Sequence, residues 1–235
     1  MSDAHHDHVL PRRTFCRNAA LLGASLAAAP LALLPTARAD QPLSETPETP
    51  AQALERLREG SARFLAGQTI APARDLEHLR STAAKQTPFA AFLGCADSRV
   101  PIEILYDQGF GDLFVVRVAG NVATSVEIAS LEYGAIVLGA KVIKVLGHSN
   151  CGAVKAALAG GEVPGQISTL YQHIVPGIDR KHMDLAAAVA ANVKYQAGKL
   201  RKASPVLGRL VREGKLSIVG GVFDLETGVV TPVEV

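Results

Sequence analysis

Two short segments of the chain carry side chains that could bind a metal ion. The first, FLGCADSRVP at residues 92–101, places Cys95, Asp97 and Arg99 at alternate positions after a small apolar run. The second, GHSNCG at residues 147–152, contains His148 and Cys151. Two thiolates and one imidazole are a zinc ligand set, and the H-x-x-C spacing lets both side chains reach one ion. Together the segments predict a zinc site formed by Cys95, His148 and Cys151.

The charges of this ligand set favour catalysis. Two thiolates balance the charge of Zn²⁺, His148 stays neutral, and three protein ligands leave the fourth tetrahedral position to water. Zinc lowers the pKa of such a water to about 7, which gives a hydroxide at neutral pH. Asp97 could itself bind the ion and close the site. Alternatively, a bidentate pair with Arg99 keeps Asp97 off the metal, free to orient the hydroxide.

The elements around these segments alternate between strands and helices. FAAFLGC, DLFVVRVAG and KVIKVLGH are typical of buried strands, and helical patterns follow each of them. This order predicts an α/β fold, a Rossmann-like and mainly parallel sheet flanked by helices. Cys95 and His148 come at the carboxyl ends of two of these strands, which is where ligands gather in such sheets.

The flanking regions predict an N-terminal helical arm and a C-terminal strand extension. Thr49 and Pro50 are typical of an N-cap followed by the first residue of a helix. A second helix is predicted over residues 74–85, and a helical block runs from Gln166 to about Glu213, broken at Pro176 and Pro205. The last residues predict two strands around a turn at 226–228.

The first 39 residues are typical of an export signal. Arg12 and Arg13 precede an apolar run over residues 19–34 that ends in a small-x-small cleavage pattern at Ala39. Paired arginines followed by Thr14 and Phe15 resemble a bacterial twin-arginine signal. We therefore expect a signal at 1–39, a linker at 40–50, one domain at 51–235, recognition by the twin-arginine export machinery and a periplasmic or otherwise exported protein. The alternative is an uncleaved membrane anchor, since the run is marginal for a span.

Composition excludes one class of partner and leaves one alternative chemistry open. Beyond residue 39 the chain has 20 basic and 20 acidic residues, with no basic cluster that would indicate nucleic acid. The same region keeps two cysteines, Cys95 and Cys151, which in an exported protein could form a disulfide. The absence of a C-x-x-C motif argues against a thiol redox protein.

The two metal-binding motifs at this spacing resemble those of the β-class carbonic anhydrases. The likeness extends to DLFVVRVAGN, SLEYG and VFDLETG, and spans roughly residues 55–230. It implies the β-carbonic anhydrase fold and reversible hydration of carbon dioxide to bicarbonate by zinc hydroxide, with one Zn²⁺ per subunit. The residues that match the family's functional positions are Cys95, His148 and Cys151 as ligands, Asp97 and Arg99 as a catalytic dyad, and Gln86, Phe114 and Tyr133 as substrate-binding positions.

The resemblance also implies an assembly and a mode of control. Family members are homodimers or homotetramers whose pocket lies at the subunit interface, where Gln86 would donate a hydrogen bond to the oxygen that gains charge. One subgroup closes its site by moving the aspartate onto zinc and uses a tryptophan to do so. This chain has no tryptophan, which favours the open form. Carbonyl sulfide or carbon disulfide as a substrate, and a closed, purely structural zinc site, remain alternatives.

Overall fold

Five strands form one mixed sheet in the computed structural model, which describes residues 46–235. The spatial order is β2-β1-β3-β4-β5, with β1 to β4 parallel and β5 antiparallel to β4. The strands are β1 (Ala90–Gly94), β2 (Leu113–Arg117), β3 (Val142–His148), β4 (Ser217–Phe223) and β5 (Val230–Val233). The predicted mainly parallel sheet is confirmed, and the strands β1 and β3, which lead into the two segments predicted to bind metal, are neighbours.

Helices cover both faces of this sheet. They are α1 (Pro50–Leu65), α2 (Leu76–Ser81), α3 (Ile102–Leu105), α4 (Ser125–Ile136), α5 (Gly152–Ala159), α6 (Ser168–Ile174), α7 (Leu185–Ala203) and α8 (Pro205–Arg212). Strand β1 is buried along its whole length: Ala91 and Leu93 belong to one apolar core, Ala90 and Phe92 to the other. A parallel strand between two helical layers requires this continuous apolar run, because both of its faces are covered.

The start of α1 confirms the predicted cap. Thr49 accepts a hydrogen bond from the backbone N–H of Gln52, whose side chain accepts one from the backbone N–H of Thr49, and Pro50 is the first helical residue. Near the other end of the helix, Arg63 donates to the buried carboxylate of Asp107 at 2.7 Å. The arm is therefore fastened to the segment that follows α3.

Two helical predictions had the wrong extent. The second helix covers only Leu76–Ser81, because Asp75 caps its start and the Thr82 hydroxyl bonds the His78 carbonyl at its end. The helical block is interrupted at 178–184 as well as at the two prolines. Helix α7 begins after this interruption, where the side chain of the N-cap residue Asp184 accepts a hydrogen bond from the backbone N–H of Ala187. The expected signal at 1–39 and the linker up to residue 45 lie outside the described residues. Among residues 46–235, no helix combines the length and apolar character that a membrane crossing needs.

Candidate metal centre

Cys95, His148 and Cys151 meet at the carboxyl edge of the sheet. β1 and β3 pair in parallel up to Gly94 opposite Leu146, so the chain delivers Cys95 and His148 to the same edge. Cys151 directly follows the turn at Ser149 and Asn150 and is the N-cap residue of α5. All three residues are buried, and their ligand atoms lie within 4.8 Å of one another. The structure thus brings together the three predicted ligands.

The separations of the three ligand atoms permit a tetrahedral zinc ion. Bonds of about 2.3 Å to sulfur and about 2.0 Å to nitrogen imply ligand atoms roughly 3.5–3.8 Å apart, inside the observed limit. The Nδ1 atom of His148 bonds the Ser149 carbonyl at 2.9 Å, which fixes the ring and leaves Nε2 for another partner. That Nε2 is buried and has no hydrogen-bond partner in the described part of the chain. An ion held by Nε2 would remove the cost of leaving it unpaired.

The two sulfur atoms create a demand for positive charge. A hydrogen bond from Cys151 lowers the pKa of the Cys95 thiol, and the same interaction together with burial raises the pKa of Cys151. The pair thus holds one negative charge readily, whereas a second thiolate beside the first is unfavourable. A divalent cation between them would stabilise both thiolates at once.

Asp97 is held by Arg99 and stands outside the ligand cluster. The guanidinium donates from Nε to Oδ1 at 3.0 Å and from Nη2 to Oδ2 at 2.8 Å, and the Arg99 backbone N–H donates to Oδ1 at 2.9 Å. These bonds keep the pKa of the Asp97 carboxyl well below its usual range, so it is ionised. Its Oδ2 atom lies 3.7 Å from Nε2 of His148, beside the Cys–His–Cys cluster.

Two contacts of the ligand loop had no signal in the sequence. Arg117, at the end of β2, donates to the carbonyl of Cys95 at 2.9 Å and to that of Asp97. The backbone N–H of Gly120 donates to Sγ of Cys95 at 3.4 Å. Both groups lie in the segment DLFVVRVAGN, but their contacts form only because β2 lies beside β1 in the sheet. They orient the loop that carries Cys95 and Asp97.

Within one chain, the predicted substrate-binding residues lie away from the metal ligands. Phe114 pairs with Ala91, four residues before Cys95, which places it about 13 Å back along the sheet. The ring of Tyr133 packs against the ring of Phe114, with 6.2 Å between the two ring centroids. Gln86 precedes the amino end of β1 and, with Tyr133, lines a groove of about 720 Å³. A single chain therefore does not bring these predicted substrate-binding residues to the Cys–His–Cys cluster.

Comparison with known proteins gives a consistent family. The carbonic anhydrase family profile matches residues 90–230. Carbonic anhydrase 2 of Mycobacterium tuberculosis is 38% identical over 76% of this chain and 90% of its own length. The carbonic anhydrase of Mycolicibacterium smegmatis is 39% identical over 76% of this chain and 91% of its own length.

Solved structures agree with the sequence comparison. The β-carbonic anhydrase CcaA is 28% identical with a TM-score of 0.61, covering 77% of this chain and 95% of that one. The Coccomyxa β-carbonic anhydrase, solved with acetazolamide, is 27% identical with a TM-score of 0.61, covering 78% and 85%. The buried Cys–His–Cys cluster lies inside the matched region. The chain therefore belongs to the β-class carbonic anhydrase family of lyases.

Proposed function

We propose that the protein hydrates carbon dioxide reversibly to bicarbonate and a proton, with one zinc ion per subunit held by Cys95, His148 and Cys151. The observation that carries the proposal is the buried three-ligand cluster beside an aspartate that its arginine holds off the metal. When bound there, zinc supplies Lewis acidity that makes a water molecule nucleophilic near neutral pH. The chain's own residues would position that water and the substrate.

The carboxylate of Asp97 is the group that would orient the water. It is ionised and close to His148 Nε2, so it can accept a hydrogen bond from a water near the metal position. Both of its oxygens already accept from Arg99, which opposes a turn of the carboxylate onto the ion. We therefore assign the constitutively open form to this site.

A second subunit would complete the substrate pocket. α4 exposes Tyr133 and Ile136, Val137 follows it, and all three line the groove that holds Gln86. The adjacent strand β2 is an edge of the sheet. An apolar face beside an edge strand is suited to burial against another copy. The assembly proposed is a homodimer, in which Gln86, Phe114 and Tyr133 of one subunit approach the metal centre of the other, or a homotetramer in which the edge strand β5 adds contacts.

The proposed location is the periplasm or another exported compartment. It rests on the paired arginines, the apolar run and the cleavage pattern of residues 12–39. Replacing Arg12 and Arg13 with lysine should leave the protein in the cytoplasm. Unchanged export of this variant would contradict the proposal, and export of a fusion carrying residues 1–39 alone would support it.

The deciding experiment measures zinc content together with carbon dioxide hydration by stopped-flow pH-indicator assay from pH 7 to 9. We expect one zinc per chain and hydration activity, both lost in Cys151→Ser and both kept in Ser98→Ala, an exposed neighbour of the dyad. Protein without zinc and with a Cys95–Cys151 disulfide would instead support thiol redox chemistry. Bound zinc without hydration at any of these pH values would indicate a structural site.

A further inference from the structure

Two buried amide side chains on α7 lie behind the metal centre. Asn192 and Gln196 are one helical turn apart and have no exposed surface. The Nε2 of Gln196 donates to Oδ1 of Asn192 at 2.9 Å and to the His173 carbonyl at 2.7 Å. Buried amides cost free energy unless they are paired, so these bonds define one orientation for each side chain.

Both amides bind the loop after β2 at two points. Asn192 donates from Nδ2 to the Gly120 carbonyl at 2.9 Å, and Gln196 accepts from the Ala123 N–H at 2.9 Å. Between these points the backbone is unusual, because Gly120 has φ 73° and Asn121 has φ 44°. Glycine adopts this conformation without steric cost, whereas a non-glycine residue such as Asn121 is held in it by its surroundings.

The loop that the amides hold also contacts a metal ligand. The Gly120 N–H donates to Sγ of Cys95 at 3.4 Å, while its carbonyl accepts from Asn192. A chain of contacts therefore runs from α7 through one residue to the sulfur. Space around Gly120 is also fixed, since a Cβ there would lie 2.8 Å from Ile174 and 3.2 Å from Ala153.

We propose that Asn192 and Gln196 are positioning residues of the metal centre, which hold the Gly120 N–H against the Cys95 sulfur. The proposal rests on the zinc site described under Proposed function. An N–H donor fixes the direction of the sulfur lone pairs and withdraws negative charge from the thiolate. Loss of such a partner behind a metal ligand typically weakens metal binding by about 10- to 100-fold.

A purely structural role for the amides makes a different prediction. In that case a variant would lower the stability of the fold and leave the bound metal unchanged. The matched control is Leu200→Ala, two turns further along α7, which removes a fully buried core side chain that makes no hydrogen bond to the loop at 119–123. Any effect of general destabilisation on metal binding should appear in this control.

The experiment compares wild-type protein, Asn192→Leu and Leu200→Ala in two measurements. The first is zinc affinity by chelator competition, and the second is the sulfur-to-metal charge-transfer band of the cobalt-substituted protein. We expect Asn192→Leu to bind zinc about 10-fold or more weakly and to shift the band, whereas Leu200→Ala matches wild type in both. If Asn192→Leu does not fold, Asn192→Ser, which is too short to reach the Gly120 carbonyl, should give the same shifts.

The outcomes separate this proposal from the zinc site itself. Wild-type protein that binds neither zinc nor cobalt would overturn the proposed function and, with it, the positioning role. Normal metal binding by wild type and by a folded Asn192 variant, with an unchanged band, would overturn the positioning role alone. Equal shifts in the Leu200→Ala control would do the same, because the effect would then follow stability.

Discussion

The guanidinium of Arg99 donates hydrogen bonds to both carboxylate oxygens of Asp97, at 3.0 Å to Oδ1 and 2.8 Å to Oδ2, although the two residues are only two positions apart along the chain. The local turn adds the backbone N–H of Arg99 as a third donor to the same carboxylate. The proposed dyad is therefore built within one loop, whereas the three proposed metal ligands come from two segments. This separation allows the dyad to be altered without removing a ligand.

The dyad can be tested by changing the shape of the cation while keeping its charge. Arg99→Lys cannot form the two parallel bonds, so Asp97 should lose its fixed direction. We expect zinc content to stay at the wild-type value while kcat/KM for carbon dioxide hydration falls about 100-fold. Asp97→Asn should give a similar loss. Full activity in either variant would remove the pair from the mechanism, and Ser98→Ala serves as the control.

Metal removal should lower the thermal stability of the protein. A ligand that binds only the folded state stabilises it by about 4 kcal/mol when its free concentration is a thousandfold above Kd. Chelation should thus lower the Tm of wild type measured by calorimetry. The Tm of Cys151→Ser should hardly respond to the same chelator. A wild-type Tm that is insensitive to chelation and to added zinc would argue against a metal bound by these residues.

The first and last residues of GHSNCG are glycines, and substituting each in turn tests how closely the chain packs at these two positions. A Cβ at Gly147 would lie 2.6 Å from a methyl carbon of Val193 on α7, whereas a Cβ at Gly152 meets nothing within 4 Å. Gly147→Ala should cost about 1–3 kcal/mol because helix and strand must separate. Gly152→Ala should be neutral or stabilise by up to about 1 kcal/mol. Urea denaturation of both variants checks the difference, and equal losses would contradict the close approach.

Lys144 should make stability depend on pH in the alkaline range. Burial on β3 lowers its pKa to about 8 from an ordinary 10.5, and its Nζ lies 5.0 Å from the centre of the Tyr106 ring. Between about pH 8 and pH 10.5 the unfolded chain binds more protons at Lys144 than the folded chain does, so the free energy of unfolding rises with pH in this range. Below about pH 8, Lys144 is charged in both states and the folded protein bears the full cost of burying that charge. Lys144→Met should stabilise the protein by about 1–3 kcal/mol at pH 7, and less as pH approaches 10.5.

The measurement for Lys144 is denaturant unfolding at pH 7 and pH 10. Lys155→Met, on the exposed side of α5, is the control and should change stability little at either pH. A gain from Lys144→Met that is the same at both pH values would contradict the buried-charge explanation.

The apolar face beside β2 should control assembly. Val137 is 62% exposed in the single chain, and Val137→Asp would place a charge in the proposed subunit interface. We expect light scattering to report monomers with zinc still bound, and hydration activity to fall at least 10-fold, because Gln86 and Tyr133 would no longer reach a neighbouring site. Ile167→Asp, an exposed apolar residue outside this face, should leave assembly unchanged. A dimeric, active Val137→Asp would contradict this interface.

The cluster of Cys95, His148 and Cys151 could be predicted from the sequence because the chemistry of these residues and their position at strand ends point the same way. Cys95 and His148 each close a buried strand, so pairing of β1 with β3 was enough to bring them together. The Asp97–Arg99 pair had two alternatives in the sequence, and the structure shows the bidentate pair. Local signals such as Thr49 and Pro50 also placed the start of α1 correctly.

The surroundings of the ligands were beyond the sequence for a physical reason. Asn192 contacts Gly120, a residue 72 positions away, and nothing in the local pattern of α7 distinguishes it from other polar helical residues. Arg117 is equally ambiguous until β2 lies beside β1. The early end of α2 depends on a side chain–backbone bond at Thr82, which competes with a helical pattern that continues to residue 85.

If zinc binds as proposed, the pairing of β1 with β3 makes metal binding depend on the correct register of these two strands. A slip by two residues is the smallest error that keeps each side chain on its own face of the sheet. It would displace Cys95 from His148 by about 6.6 Å, further than the separation across which one ion can join them. A chain with this shifted register could still bury much of its apolar surface, but Cys95 could not bind the same ion as His148. Zinc would thus select the correctly aligned molecules during maturation.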